Sequence, residues 1–156
     1  MSYRIIRINE TRPEWMSDLL DCFGREFDDH KTYCDSRPGR EYLGSLLSSS
    51  SFIALGAIDG DKLVGGLVAY ELRKFEQQRS EIYIYDLTVS SEHRRKGIAT
   101  ALIEALKPIA KKLGAWIIFV QADCVDNPAV NLYSKLGEKE EVLHFDIPVI
   151  RGQPGI

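Results

Sequence analysis

The chain has 156 residues, of which 44% are hydrophobic and 28% are charged, and its formal net charge is −3. This length suits one domain with a substantial core, and we expect a single domain over residues 1–156. The mild negative charge argues against a nucleic-acid binder. No apolar run approaches the roughly 18 residues that a membrane span needs, and the N-terminus lacks a signal-peptide core.

The cysteines and histidines show no metal-binding pattern. The three cysteines include no CxxC pair, and the three histidines are not spaced as metal ligands. An odd number of unpaired thiols fits a reducing compartment. We therefore expect a cytoplasmic protein without a metal.

The first half of the chain predicts one strand, two helices and a hairpin. A strand is expected over 3–8, and a helix over 12–27 has Pro13 in its first turn. A second, short helix is expected over 39–49. Two β-rich runs, 51–59 and 62–72, join at a Gly-Asp turn that is typical of a hairpin.

The second half alternates strands and helices. The expected elements are strand 81–89, helix 97–113, strand 115–123, helix 126–137 and strand 141–149. Gly114 and Gly137 stand where these two helices should stop, and Asp126 is a candidate N-cap. Pro108 should kink the first of these helices or end it early. This order predicts an α+β fold with a mixed sheet.

Asp86 interrupts the apolar and aromatic strand 81–89. A carboxylate without a function is costly to bury there, so Asp86 is a candidate site residue, with a hydrogen-bonded structural aspartate as the alternative. The apolar pattern also changes phase at Asp86, because Ile82 and Ile84 share one face while Leu87 and Val89 share the other. Either a β-bulge or a strand buried on both faces explains this change.

A basic cluster lies between strand 81–89 and helix 97–113. It consists of Arg94, Arg95 and Lys96, followed by Gly97. The first N–H groups of a helix have no intrahelical partner, so a helix N-terminus binds anions, and glycine lets a phosphate approach the backbone. The spacing matches neither common nucleotide-binding glycine motif. The cluster is a candidate anion site, with a solvated charge run as the alternative.

The segment from Arg94 to Ala99 resembles the coenzyme A pyrophosphate loop of the GNAT N-acetyltransferase superfamily, whose pattern is Gln/Arg-x-x-Gly-x-Gly/Ala. Residues 126–137 resemble that superfamily's Asn-x-x-Ala-x-x-x-Tyr-x-x-x-Gly helix, with Asp126 in place of the usual asparagine. Longer strings, such as KFEQQRSEIYIYDLTVSSEHRRKGIATALI, are similar to aminoglycoside 3-N-acetyltransferases of the gentamicin resistance type. The similar strings span about residues 20 to 147.

This resemblance implies a GNAT-like fold and a cosubstrate. The fold has a mixed, mostly antiparallel central sheet, helices on both faces, and splayed strands at 81–89 and 115–122. The cosubstrate is acetyl-CoA, without a metal, and a bulge frees N–H groups that pair with its pantetheine arm. The coenzyme-binding residues that the resemblance implies are Leu87, Thr88, Val89, Arg94, Arg95, Lys96, Gly97, Ile98, Ala99, Thr100 and Asp126.

The resemblance also implies direct attack of an amine on acetyl-CoA in a ternary complex. Asp86 is the first candidate for the base that takes the amine's proton, and Glu81 is the reserve. Tyr133 is the candidate acid for the departing thiolate, with a core tyrosine as the alternative. An acyl-enzyme on Cys124 is disfavoured because no histidine motif activates that thiol.

The implied acceptor is the 3-amino group of a 2-deoxystreptamine aminoglycoside such as gentamicin, with antibiotic resistance as the consequence. Acidic side chains attract such a polycation. The candidate contacts are Asp86, Asp123, Asp126, Asp146, Glu26 and Asp29. The family often dimerises, so a homodimer is one expected state. The alternatives are a GNAT enzyme for another polyamine or a protein amine, and a non-catalytic acyl-CoA-binding module. Asp86, Glu81 and Tyr133 together disfavour the binding module.

Overall fold

The computed structural model describes residues 2–152. Its strands are β1 (Tyr3–Ile8), β2 (Phe52–Asp59), β3 (Lys62–Arg73), β4 (Ser80–Val89) and β5 (Ala115–Val120). Its helices are α1 (Glu14–Glu26), α2 (His30–Tyr33), α3 (Arg40–Ser48), α4 (Ile98–Lys112) and α5 (Asn127–Leu136). No helix among the described residues is long and apolar enough to cross a membrane.

The chain divides into two compact units, Met1–Gln121 and Ala122–Ile156. The first unit contains the sheet and helices α1 to α4, and the second contains α5. A single domain over 1–156 therefore stays a prediction.

The five strands lie in the order β1-β2-β3-β4-β5. The first four pair antiparallel with their neighbours, and β4 pairs parallel with β5. The parallel pair requires a crossover connection, which α4 provides. The predicted mixed, mostly antiparallel sheet and the parallel pairing across this helix are confirmed.

Helices cover both faces of the sheet. On one face, α1 and α3 pack Leu19, Phe23 and Leu47 against Phe52 and Ala54 of β2. Because side chains alternate along a strand, the buried residues between these β2 positions point to the other face. Helix α4, which contacts every strand of the sheet, packs there through its own buried apolar residues. Burial of β2 on both faces explains its continuous apolar sequence.

Three details differ from the sequence prediction. The expected strand 141–149 is wrong, since no residue in that range is in a strand. A strand needs a partner for its ladder hydrogen bonds, and no strand lies between residues 122 and 152. Helix α4 continues past Pro108 to Lys112, so it does not end early. It stops before Gly114, whose φ of 78° is left-handed as predicted. The short helix α2 was not predicted.

Candidate active site

A β-bulge lies at the centre of β4. Ala69 of β3 pairs with Ile84, whereas the preceding residue, Val68, pairs with Asp86, so Tyr85 is an extra residue on β4. The bulge explains the change of phase that the sequence shows at Asp86, and the alternative of a regular strand buried on both faces is wrong. It also turns the strand locally, so that Tyr85 is exposed while Asp86 is half-buried.

Strands β4 and β5 separate immediately after this bulge. Their pairing ends at Ile84 and Val120, and residues 85–89 have no partner on the β5 side. On that side the backbone groups of Leu87 and Val89 are not paired with β5, and the Val89 carbonyl accepts a hydrogen bond from Nε of Arg94 over 3.3 Å, while Thr88 pairs with β3. The predicted splay is present, although β5 ends at Val120. Binding of a coenzyme by these residues stays a prediction.

Asp86 accepts a hydrogen bond from a tyrosine. The hydroxyl Oη of Tyr33 donates to Oδ2 of Asp86 over 3.0 Å. Burial raises the pKa of Asp86 above its ordinary value, and the hydrogen bond from Tyr33, which favours the charged form, opposes that rise. Asp86 consequently holds a proton more strongly than a free aspartate does, which suits a group that must accept one.

Tyr33 is a site residue that the sequence analysis missed. It ends the short helix α2, and its ring lies 5.6 Å from each of Phe23 and Phe27. Gly24 of α1 permits this packing, because a Cβ there would lie 2.6 Å from Sγ of Cys34. Burial and the nearby Asp86 carboxylate raise the pKa of Tyr33 well above its ordinary range, so its hydroxyl stays a donor.

Asp29, one of the predicted acceptor contacts, begins helix α2. Its side chain accepts a hydrogen bond from the backbone N–H of Thr32 over 3.1 Å. Hydrogen bonds from Thr32 lower the pKa of Asp29, so the carboxylate is charged at neutral pH. Aspartate is a favoured N-cap residue, and its acceptance of the backbone N–H three residues later is the usual capping bond. Binding of a substrate by Asp29 stays a prediction.

Glu81, the reserve base, is not brought near Asp86. It lies five residues earlier on β4, which at ~3.3 Å per residue places it roughly 16 Å away along the strand. Its carboxylate lies 3.6 Å from Nζ of Lys74 in the β3–β4 turn. Which of the two carboxylates acts as the base stays a prediction.

The basic junction has the backbone shape of an anion site. Arg95 and Gly97 both have left-handed φ values, 61° and 77°, which curl the chain into the start of α4. No side chain caps this helix, and its first backbone hydrogen bond comes from the N–H of Ala101 to the Gly97 carbonyl. The preceding N–H groups, 98–100, therefore project from the helix end. The exposed side chains of Arg95 and Lys96 add positive charge. These residues fit a pyrophosphate.

A salt bridge joins Arg94 to Glu26 at the end of α1. Its Nη2 lies 3.1 Å from Oε2 of Glu26, and the backbone N–H of Ser91 donates to the same oxygen over 3.1 Å. The side chain of Glu26 is only 6% exposed. This carboxylate, predicted as an acceptor contact, thus holds the junction against the end of α1. Its predicted role toward an acceptor remains a prediction.

The second unit contains the predicted acid. Helix α5 begins after Asp126, whose side chain accepts a hydrogen bond from the N–H of Ala129 over 3.2 Å, and it stops at Gly137. The predicted cap and stop are confirmed. Burial, with a smaller contribution from the Asp126 charge, raises the pKa of Tyr133 to about 12. Tyr133 is therefore protonated at neutral pH, as an acid must be.

The other two predicted acceptor contacts in this unit are exposed. Asp123 lies in the segment before α5, and its backbone carbonyl accepts from the N–H of Asp126. Asp146 lies 2.9 Å from Nε2 of His144. Neither carboxylate is buried, so each remains open to a cationic ligand, and their roles stay predictions.

The chain is similar to several acetyltransferases. A profile of the acetyltransferase (GNAT) family matches residues 12–137. One similar crystal structure is that of an aminoglycoside acetyltransferase from an uncultured soil metagenomic sample, with 55% sequence identity and a TM-score of 0.94. The match covers 96% of this chain and 100% of that one. Another aminoglycoside acetyltransferase from such a sample, solved with sisomicin, is 30% identical with a TM-score of 0.87, over 96% of this chain and 97% of that one.

Curated relatives are more distant. Streptothricin acetyltransferase of Streptomyces lavendulae is 31% identical over 103 residues, which is 66% of this chain and 50% of that protein. The chain spans about half the length of the curated relatives it matches.

Proposed function

Because the chain belongs to the acetyltransferase (GNAT) family, we propose that it transfers the acetyl group of acetyl-CoA to an aminoglycoside. The proposed acceptor atom is the 3-amino nitrogen of the 2-deoxystreptamine ring, as in gentamicin. The observation that carries this proposal is the half-buried carboxylate of Asp86, held by Tyr33 at the point where β4 leaves β5. The 55% identity to an aminoglycoside acetyltransferase supports the acceptor class.

The coenzyme is assigned to the open side of β4 and the start of α4. The N–H groups of Leu87 and Val89, on either side of Thr88, would pair with the pantetheine arm, and one of them would polarise the thioester carbonyl. The N–H groups of residues 98–100, with Arg95 and Lys96, would hold the pyrophosphate beside Gly97. Arg94, fixed by Glu26, would keep this junction in its binding conformation.

The acceptor amine must lose a proton before it reacts. An aminoglycoside amine is largely an ammonium at neutral pH, and an ammonium has no electron pair to donate. Asp86 binds this cation and takes its proton, for which the raised pKa of the carboxyl is favourable. The neutral amine then attacks the thioester carbonyl. A C–N bond forms as the C–S bond breaks, and the sulfur leaves as a thiolate.

The departing thiolate needs a proton. Tyr133, protonated at neutral pH because burial raises its pKa to about 12, is the proposed donor. The products are the N-acetylated acceptor and free coenzyme A. Direct transfer requires no nucleophile on the protein. This agrees with the sequence, which supplies no histidine motif that would activate the thiol of Cys124.

Acidic side chains would hold the remaining ammonium groups of the acceptor. The exposed carboxylate of Asp123 would attract cations, as would that of Asp146, which also contacts His144. Asp126 adds charge while it caps α5. Glu26 and Asp29 already accept backbone hydrogen bonds. Their contribution to the acceptor would therefore come through charge at a distance, which salt weakens.

Release of coenzyme A thiol tests the proposal. Acetyl-CoA is supplied with gentamicin, kanamycin, spermidine or a basic peptide, and thiol release is followed in each case. We expect release with both aminoglycosides and little with spermidine or peptide. Release with the peptide alone would identify a GNAT enzyme for protein amines. Binding of acetyl-CoA without release for any amine would identify a non-catalytic module.

A further inference from the structure

Four aromatic rings form a continuous surface beside Asp86. They are Tyr70 of β3, Tyr83 and Tyr85 of β4, and Phe119 of β5, and we call this surface the tyrosine shelf. The ring of Tyr85 lies 5.9 Å from that of Tyr70 and 5.7 Å from that of Tyr83, nearly perpendicular to the former. Phe119 stacks parallel on Tyr83 with 4.7 Å between centroids. The shelf therefore spans three strands across the point where β4 and β5 separate.

Contacts of Tyr70 and Tyr83 hold the tyrosine shelf in place. Tyr70 packs against the buried Phe52 at 5.5 Å, which connects the shelf to the core. The hydroxyl of Tyr83 donates to Oε1 of Gln121 over 2.9 Å, so this polar group has a partner. Burial raises the pKa values of Tyr70 and Tyr83, which keeps both rings neutral at physiological pH. A rigid, neutral aromatic surface loses little entropy when a ligand binds to it.

Tyr85 is the ring of the tyrosine shelf that is most exposed to solvent. It is the extra residue of the bulge, and 61% of it is exposed. Its ring contacts Tyr70 and Tyr83 in edge-to-face geometry, and most of the residue remains accessible to a ligand. The next residue is Asp86, whose carboxylate accepts the hydrogen bond from Tyr33. An exposed aromatic ring and a carboxylate are thus adjacent on β4.

We propose that the tyrosine shelf binds an amino sugar ring of the acceptor against the face of Tyr85 while Asp86 holds the reacting amine. This inference rests on the proposed function and deepens it by assigning a binding surface. Tyrosine faces attract ammonium groups, and they cover the apolar C–H faces of sugars while the hydroxyl tip bonds to polar groups. The adjacent negative charge selects a cationic sugar over a neutral one.

A protein partner fits this surface less well. Stable protein interfaces bury on the order of 800 Å² on each side, and Tyr85 is the only ring of the shelf that is more than half exposed. The pantetheine arm is proposed to bind the backbone of residues 87–89, beyond the bulge. A small cationic ring is therefore the occupant that matches the size and charge of the shelf.

Steady-state kinetics and direct binding test the shelf. Tyr85→Leu removes the π face and keeps an apolar side chain, Tyr85→Phe keeps the face, and Phe75→Leu is the control, because Phe75 is 99% exposed in the β3–β4 turn. We expect Tyr85→Leu to raise the KM and the calorimetric Kd for sisomicin by about 5- to 20-fold, within the range of cation–π interactions. Tyr85→Phe, which keeps the π face and loses the hydroxyl, should raise these constants less than Tyr85→Leu does. Phe75→Leu should stay within roughly 2-fold, and the KM for acetyl-CoA should not change in any variant.

The outcomes separate the shelf from the proposed function. If the wild-type protein acetylates aminoglycosides and Tyr85→Leu leaves both sisomicin constants unchanged, the shelf is refuted and the function stands. A rise in the KM for acetyl-CoA alone would also refute it. If no aminoglycoside is acetylated but sisomicin binds in a Tyr85-dependent manner, the shelf stands and the function fails. Trehalose serves as the neutral comparison, and binding equal to that of sisomicin would overturn the selection for cationic sugars.

Discussion

Tyr33→Phe removes one oxygen atom from the site and leaves its packing intact. The ring remains against Phe23 and Phe27, but Asp86 loses the hydrogen bond that its Oδ2 accepts over 3.0 Å. A hydrogen bond to a charged group contributes about 1.5–3 kcal/mol when buried, and partial hydration of this site reduces the loss to roughly 1–2 kcal/mol. For a chain of 156 residues, that loss lowers Tm by roughly 2–6 °C.

The same change alters the pH dependence of the reaction. The hydrogen bond from Tyr33 favours the charged carboxylate and lowers its pKa, whereas burial raises it. Without the hydroxyl, only burial remains, so the pKa of Asp86 must rise. Because the base acts in its deprotonated form, the acidic limb of kcat/KM moves to higher pH. Loss of orientation should also reduce kcat at pH 8 by roughly 5- to 20-fold, equivalent to about 1–2 kcal/mol.

The assay is a pH profile of kcat/KM for gentamicin from pH 5.5 to 9. Phe75→Leu is the control, since Phe75 is 99% exposed in the β3–β4 turn, and its profile should coincide with that of the wild type. An acidic limb that stays in place, or moves to lower pH, in Tyr33→Phe would refute the role of Tyr33 in tuning Asp86. A fall in Tm without any change in the profile would reduce Tyr33 to a packing residue.

Three further substitutions have distinct expected results. Asp86→Asn should lower kcat by roughly 100-fold or more, with little change in the Kd of acetyl-CoA. It should not lower Tm at pH 7, because burial of the Asp86 charge opposes folding at that pH. Near-normal turnover would exclude Asp86 as the base. Tyr133→Phe should reduce kcat by roughly 10-fold, since water can donate the proton instead, and a thiol-release rate equal to wild type would exclude Tyr133 as the acid. Glu26→Gln removes the counter-ion of Arg94 and should raise the KM for acetyl-CoA several-fold without changing kcat. The control is Glu104→Gln, which breaks an exposed salt bridge elsewhere on the protein. Equal effects of the two substitutions would contradict the role of Glu26 at the basic junction.

Local signals in the sequence predicted most of the framework. Helix α4 was identified from its apolar spacing and from Gly114, and α5 from Asp126 and Gly137, because caps and periodicity depend only on nearby residues. The phase change around Asp86 indicated the bulge. The choice between a bulge and a doubly buried strand needed the register of β3, which no local pattern contains.

Contacts between distant parts of the chain were not predictable. Tyr33 and Asp86 are 53 residues apart, and Glu26 and Arg94 are 68 apart. The acidic residues within 26–29 suggested an acceptor surface. The sequence did not show that Glu26 forms a salt bridge with Arg94, or that Asp29 caps α2. The predicted strand 141–149 shows the opposite error, because alternating apolar residues indicate a strand whether or not a partner is available.

The position of the acetyl group on the product tests the central proposal most directly. Sisomicin is incubated with acetyl-CoA and the wild-type protein, and the product is examined by mass spectrometry and two-dimensional NMR. The account predicts a single added acetyl group on the 3-amino nitrogen of the 2-deoxystreptamine ring, and no product with Asp86→Asn over the same period. Acetylation at another nitrogen would contradict the 3-N assignment, and recovery of unmodified sisomicin would contradict the proposed function itself.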